Sequence, residues 1–305
     1  MPHDLDETLA PSSTSWGSQV RVLHRPLPAS PTATITAGES NDSYHSSAGW
    51  SKSQLWDHAS RGSQYFYLRH VAKSIKPEES SSLSHGTLMH RWMEVGDTFF
   101  SEVVSAPEEM LTETGLIGKK ARQWAAEHAP DQTLISAREL RQIQREVEAI
   151  KNHSAAMDLI EAAVDHELSI RWRSQEGDLL RCRPDLCTED LWVDLKTTRE
   201  MDILSSFWKS VLDYGYHAQD AHYQSGMEAV GMEARPLRFI VVSTLPPHQC
   251  HVVTLPQELV AEGRRILAKS LADIRVRMDL DYWMPDQHGE VIELPVPAHV
   301  LWRNT

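Results

Sequence analysis

The chain has 305 residues, 41% of them hydrophobic, and a formal net charge of −13. That is ample for one substantial core, and the acidic balance excludes a protein that coats nucleic acid through bulk attraction. A local anion site is still allowed, because charges more than about 8 Å apart are largely screened at physiological salt.

Residues 1–40 are rich in Ser, Thr, Pro and Ala without a periodic apolar pattern, so a disordered tail is predicted there, with a single domain over 41–305. Tyr44 and Trp50 precede Ser51-Lys52-Ser53-Gln54-Leu55, a helix start with Ser51 as cap, and an aromatic-rich helix should run on through Tyr65 and Tyr67 to Val71. After a serine-rich stretch at 77–84, Leu88, Trp92 and Phe99 mark the buried stripe of a helix with His90 and Glu94 one turn apart. Ser136 with Glu139 is a capping-box pattern opening a helix carried by Leu140, Ile143, Val147 and Ile150, and a shorter helix over 154–163 completes a helical part spanning 41–165.

From Glu167 the period changes to two, predicting strands over 167–173, 179–187 and 191–196. A long helix over 205–230, closed by Gly231, strands over 239–244 and 250–255, and a helix over 256–277 follow, giving a catalytic part over 166–280 and a proline-rich tail over 281–305 that holds Trp283 and Trp302. Three cysteines are an odd number, and Cys182 and Cys187 would face opposite ways on one strand, which argues against a disulfide framework. With no leader-like segment at the N-terminus and no apolar run long enough to span a bilayer, a cytoplasmic location is expected.

On the second predicted strand Arg181, Arg183 and Asp185 share a face; on the third, Trp192, Asp194 and Lys196 do. If Glu189 and Asp190 form a two-residue turn, Thr188 pairs with Leu191 and Asp185 falls opposite Asp194. Opposed carboxylates about 5 Å apart repel, which calls for something positive between them. A hard divalent cation wants such oxygen ligands, and Lys196 beside it would orient a water and stabilise phosphorane charge. Alone, an Asp-x-Lys is more simply a solvated surface pair; the matching Asp and the apolar surroundings of 191–195 favour the metal reading. Pro184 gives no ladder donor and predicts a bulge.

Arg183-Pro184-Asp185, Asp194-Leu195-Lys196-Thr197-Thr198, Gln219-Asp220-Ala221-His222-Tyr223 and Gly86-Thr87-Leu88-Met89-His90, with Tyr44-His45 and Ser51-Lys52-Ser53-Gln54-Leu55, resemble the exonuclease VIII (RecE) family of PD-(D/E)xK nucleases with RecB-type motifs. The resemblance implies an α/β (α+β) fold with a restriction-endonuclease-like core, a central mixed β-sheet flanked by helices. It implies His90, Asp185 and Asp194 as ligands of Mg²⁺, or Mn²⁺ in its place, with the Leu195 carbonyl as a further one, and Lys196 as the catalytic lysine. Gln219 and Tyr223, one turn apart, would lie near the metal and the DNA. The implied activity is 5′ to 3′ digestion of one strand of linear duplex DNA, by a ring-like homo-oligomer working with a single-strand annealing protein in recombination and repair.

Six further side chains keep two readings each. Glu167 either reaches the site or is an exposed strand end. Glu94 either orients His90 or is solvated, the latter being favoured. Arg171, Arg173, Arg181 and Arg183 either track phosphates, Arg183 nearest the site, or pair with Glu176, Asp178 and Glu189. Three competitors stand against the exonuclease. An endonuclease would use the same metal chemistry. A non-catalytic DNA-end-binding module need not keep Asp185, Asp194 and Lys196. An iron–sulfur nuclease would need four cysteines.

Overall fold

The computed structural model describes residues 33–76, 81–112, 117–285, 289–291 and 293. In chain order these form β1 (Ala33–Thr36), α1 (Asn41–Ser46), β2 (Trp50–Ser51), α2 (Lys52–Arg61), α3 (Ser63–Phe66) with a π-helical turn at Tyr67–Val71, α4 (Ser81–Val95), α5 (Phe99–Glu102) and β3 (Val103–Ser105). Then come α6 (Lys119–His128), β4 (Thr133–Ile135), α7 (Ala137–Lys151), α8 (Ser154–Glu161), β5 (Asp165–His166), β6 (Ser169–Arg173), β7 (Leu179–Cys182), β8 (Leu186–Cys187) and β9 (Trp192–Thr198). The chain continues through α9 (Ile203–Asp213), α10 (Tyr216–Ala229), β10 (Arg238–Ser243), β11 (Cys250–Val253) and α11 (Gln257–Leu280).

The central sheet is mixed, in the order β11-β10-β9-β8-β5, with β9 and β10 parallel and the other neighbours antiparallel. Alternation along its strands feeds two cores. Trp192, Phe239 and Val241 pack with Phe207, Met227, Leu267 and Ile274 on one face. Val193, Leu195, Ile240 and Val242 pack with Met89, Trp92, Ile143, Val147 and Ile150 on the other. The central strands β9 and β10 bury both sides, as a sheet covered by helices requires, while the edge strands β5 and β11 are half-buried. The expected mixed sheet between helical layers is therefore present. A second sheet, β1-β6-β7-β2, adjoins it.

Several predicted boundaries are corrected. Order begins before Asn41: Ala33–Thr36 pairs antiparallel with β6, opposing Thr34 to Arg171. Such an edge strand takes its stability from the partner's backbone and needs no apolar pattern of its own. The tail expectation for residues 1–32 lies outside the described residues, as does Trp302.

The strand expected over 179–187 is two strands in different sheets, because Pro184 interrupts the ladder between β7 and β8. The one expected over 167–173 breaks at Glu167, whose φ of 52° lies in the left-handed region. The break also returns Cys182 and Cys187 to one core, both as free buried thiols. The helix expected over 205–230 is interrupted at Gly215 (φ 65°), where a Cβ would come within 2.4 Å of the Trp56 ring. Gly231, also left-handed at φ 81°, follows α10 as expected.

Candidate active site

The predicted hairpin register holds. Leu186 pairs with Val193 and Cys187 with Trp192, and the Thr188 N–H donates to the Leu191 carbonyl at 2.8 Å. One step farther along the same register sets Asp185 opposite Asp194. The β5–β8 pairing, His166 with Leu186, likewise continues to set Glu167 beside Asp185, and the Glu167 N–H donates to the Asp185 carbonyl at 3.1 Å. Three carboxylate residues thus form a row across three adjacent strands, at the point where Pro184 and the left-handed Glu167 end regular pairing.

Asp185 is buried and held from two sides. Its Oδ2 accepts from the Leu195 N–H at 2.6 Å, and its Oδ1 lies 3.1 Å from His90 Nδ1. His90 Nε2 lies 3.2 Å from the Leu195 carbonyl. Both ring nitrogens therefore face acceptors, which suits a doubly protonated ring. Burial disfavours that charge, but Asp185 outweighs it and raises the His90 pKa to about 9. Asp194 is buried between Lys196 Nζ, in an ion pair, and Gln219 Nε2, which donates to its Oδ1. The Tyr223 hydroxyl donates to the Arg183 carbonyl at 2.9 Å, bracing the chain just before Asp185. Gln219 and Tyr223, expected on one face of a helix, both reach the row from α10.

Electrostatics reflects this crowding. Burial and the Asp185 charge push Glu167 up to about 7 and raise Asp194. Burial also works against ionised Asp185, yet His90 and Lys196 hold its pKa below the usual carboxylate value. On Lys196 burial favours the neutral amine, but Asp194, Tyr216 and Asp185 keep the proton and raise its pKa.

The residues fit a divalent ion. Ligand atoms of His90, Glu167 and Asp185 lie within 4.8 Å of one another, an oxygen-rich set with one imidazole. Glu167 and Asp194, whose pKa values burial and the Asp185 charge raise, are the groups a cation beside Asp185 would relieve. In this arrangement the His90 proton supplies the positive charge between Asp185 and the Leu195 carbonyl. Of the expected ligands, Asp194 is engaged by Lys196 and Gln219 and stands outside that set, which Glu167 joins.

The arginines answer to neither of their two readings. Arg171 pairs with Glu39 at 2.7 Å, and Arg183 pairs with Glu167 at 2.7 Å while donating to the Glu39 carbonyl and Asn41. Arg181 is 3% exposed and donates to the Tyr44 carbonyl at 2.6 Å and to the Ser47 carbonyl. All three guanidinium groups lie 5.0–5.8 Å from the Tyr44 ring centre. Only Arg173 stays at the surface, on the Gly177 carbonyl, while Asp178 pairs with Arg275. The supposed phosphate track is mostly a clasp holding the 39–47 segment. Glu94 pairs with Arg91 at the surface, the solvated reading.

Two residues that sequence reasoning missed border the site. Lys52, 9% exposed, donates to the Tyr214 carbonyl at 2.6 Å, and Tyr216 lies beneath Lys196 Nζ, 4.7 Å from its ring centre. Nothing local marks either: Lys52 reads as an ordinary first-turn residue after the Ser51 cap.

A mixed sheet between helices, bearing aspartates and a lysine on adjacent strands, defines the PD-(D/E)xK nuclease fold class. The family model described as "PDDEXK-like domain of unknown function (DUF3799)" matches residues 51–290, and the chain belongs to that family. A solved structure from Eubacterium rectale, described as a "Putative exonuclease", is similar with a TM-score of 0.59 at 15% identity, covering 88% of this chain and 100% of that one. At that identity the likeness concerns the fold. No curated protein matches. Among the described residues, no helix is long and apolar enough to cross a membrane.

Proposed function

We propose that the protein is a metal-dependent exodeoxyribonuclease that hydrolyses linear double-stranded DNA, 5′ to 3′, leaving a 3′ single strand for recombination and repair by strand annealing. The observation that carries this reading is the convergence of Asp185, Asp194, Glu167 and His90 on one buried centre with Lys196. The narrower features follow from the motifs resembling the exonuclease VIII (RecE) family: end dependence, polarity, a ring-like homo-oligomer and a single-strand annealing partner; a cytoplasmic setting is inferred separately, from the cysteine usage.

His90, after giving up its second ring proton, would hold Mg²⁺, or Mn²⁺ in its place, together with Asp185 and Glu167, and Asp194 and the Leu195 carbonyl would be the further ligands that the motifs imply. When bound, such an ion polarises a phosphoryl oxygen and makes a bound water more acidic. The remaining work falls to the chain. Lys196 keeps its proton, so it acts as a fixed positive charge that orients the attacking water and stabilises the pentacovalent phosphorus, not as a base. Gln219 fixes the Asp194 carboxylate, and Tyr223 fixes the backbone that presents Asp185. Water adds to phosphorus as the bond to the leaving sugar oxygen breaks, giving a phosphate monoester and an alcohol.

The test is digestion of end-labelled linear duplex and of covalently closed circular DNA, each with and without Mg²⁺. Shortening of the linear duplex from its 5′ ends, with circles intact, is the expected result. Cutting of closed circles would replace this reading with an endonuclease. Metal-independent binding of ends without hydrolysis would replace it with a non-catalytic module.

A further inference from the structure

We propose that Lys52 and Lys196 form a two-point anion clamp around Tyr216, in which Lys52 holds the backbone phosphate next to the one being hydrolysed. The inference rests on the nuclease reading above and extends it to a residue that reading does not use.

Lys52 is the first residue of α2, fixed by the Ser51–Gln54 capping box. A cation there opposes the helix dipole, and lysine is seldom buried without a carboxylate partner. Among the described residues it donates to the neutral Tyr214 carbonyl. The groups that face it electrostatically are Lys196, which repels its charge, and Asp194 and Asp57, which favour it. Burial, aided by Lys196, lowers its pKa to about 7. The helix dipole, burial and the Lys196 charge disfavour an ammonium in the free protein more than Asp194 and Asp57 favour it, and a bound anion would offset that balance.

The placement is rigid. Trp56 donates to the Asp213 carbonyl and packs where any side chain at residue 215 would go, so the Tyr214-Gly215-Tyr216 turn is locked onto α2. That turn supplies both the carbonyl under Lys52 and the ring shared by the lysines. Lys52 Nζ lies 5.7 Å and Lys196 Nζ 4.7 Å from the Tyr216 ring centre, so the two are within about 10 Å of each other. A nucleic-acid strand carries a charge every ~3.4 Å of its axis, so two ammonium groups no more than about three such repeats apart can meet different phosphates of one strand, the adjacent pair being the shortest span.

The experiment uses the full chain with Mg²⁺ and linear duplex DNA, some molecules carrying one uncharged methylphosphonate at successive linkages beside the cut. Wild-type protein should lose about tenfold in kcat/KM at one such position, the scale of one charge-assisted hydrogen bond. Lys52→Met should lose about tenfold on unmodified DNA, mainly in KM, and nothing more at that position. Lys52→Gln repeats the cycle should Lys52→Met fold poorly. A merely structural lysine would instead lower the unfolding temperature and leave the methylphosphonate sensitivity as in wild type. Unchanged KM in the variants, or additive losses at every linkage, overturns the clamp while leaving the nuclease reading intact. Absence of metal-dependent hydrolysis by the wild-type protein sinks that reading first, and the clamp with it.

Discussion

Replacing Gly263 with alanine should destabilise the protein and loosen the site, although helix propensity alone predicts the opposite. Gly263 lies inside α11, where alanine is ordinarily favoured over glycine by about 1 kcal/mol. Here an added Cβ would stand 2.5 Å from the His217 carbonyl oxygen and 2.6 Å from the Ala218 nitrogen. Both obstacles are backbone atoms of α10, so no side chain can rotate aside and the helices must separate. Overpacking costs roughly 1–3 kcal/mol, and a backbone obstacle puts this case at the upper end. After the propensity gain the net loss is about 2 kcal/mol, or about 4–8 °C in melting temperature for a domain approaching this size. Gln219, one residue beyond Ala218, would move with α10 away from Asp194, so metal-dependent hydrolysis should fall as well. Urea unfolding of Gly263→Ala measures the effect, with Gly86→Ala as control. Gly86 also lies in a helix, but a Cβ there meets nothing within 4 Å, so that variant should gain up to about 1 kcal/mol. A Gly263→Ala protein as stable as wild type would refute the close-packing argument.

Asp194→Ala and Lys196→Ala should each reduce metal-dependent DNA hydrolysis by at least about a hundredfold with circular dichroism unchanged, measured as released nucleotide. Divalent ions should raise the melting temperature, by about 2.7 kcal/mol of stabilisation at one hundred times Kd, and Asp185→Asn should abolish that response; this readout needs no DNA. Burial lowers the pKa of His85, but Glu139 and Glu146 outweigh it and raise it to about 9, with Glu146 Oε2 2.8 Å away. The folded value exceeds the ordinary 6.5, so the stabilisation is complete below about pH 6.5 and fades as pH rises through about 9; His85→Gln should lack that slope, and parallel pH–stability curves would contradict the pairing. Arg181→Met should cost about 2–4 kcal/mol in urea unfolding, because the carbonyls of Tyr44 and Ser47 lose their donor, and added salt should not reproduce the loss.

What was legible in the sequence is what depends on neighbours along the chain. The two-residue turn at Glu189 and Asp190 fixed the hairpin register, and from it the opposition of Asp185 and Asp194 follows by counting. The Ser51 and Ser136 caps and the alternation of Trp192 to Lys196 are local in the same sense. Pro184 signalled an irregularity, but not that the chain would change sheets there, since that depends on which strands lie alongside. The arginine strands were misleading for a related reason. Their alternation is real, but Glu39 and the carbonyls of Tyr44 and Ser47 come from a segment far away in sequence, read partly as tail. Lys52 was invisible because burial at the first turn of a helix comes from the Tyr214 turn packing over it, which no periodicity encodes.

The clasp around Tyr44 bears on how an acidic protein would hold an acidic substrate. With Arg171, Arg181 and Arg183 consumed by Glu39, Glu167 and backbone carbonyls, little fixed positive charge remains on those strands for phosphate. What the centre offers instead is Lys196, Lys52 and whatever cation the carboxylate row attracts. Attraction built this way is short-ranged and centred on the reacting phosphate, whereas a basic groove would grip a duplex anywhere along its length. On the proposed function, the row of carboxylates, unfavourable by itself, would make affinity conditional on the ion that the chemistry needs. Binding and hydrolysis would then share one requirement, and a net charge of −13 would disfavour nonspecific association with nucleic acid.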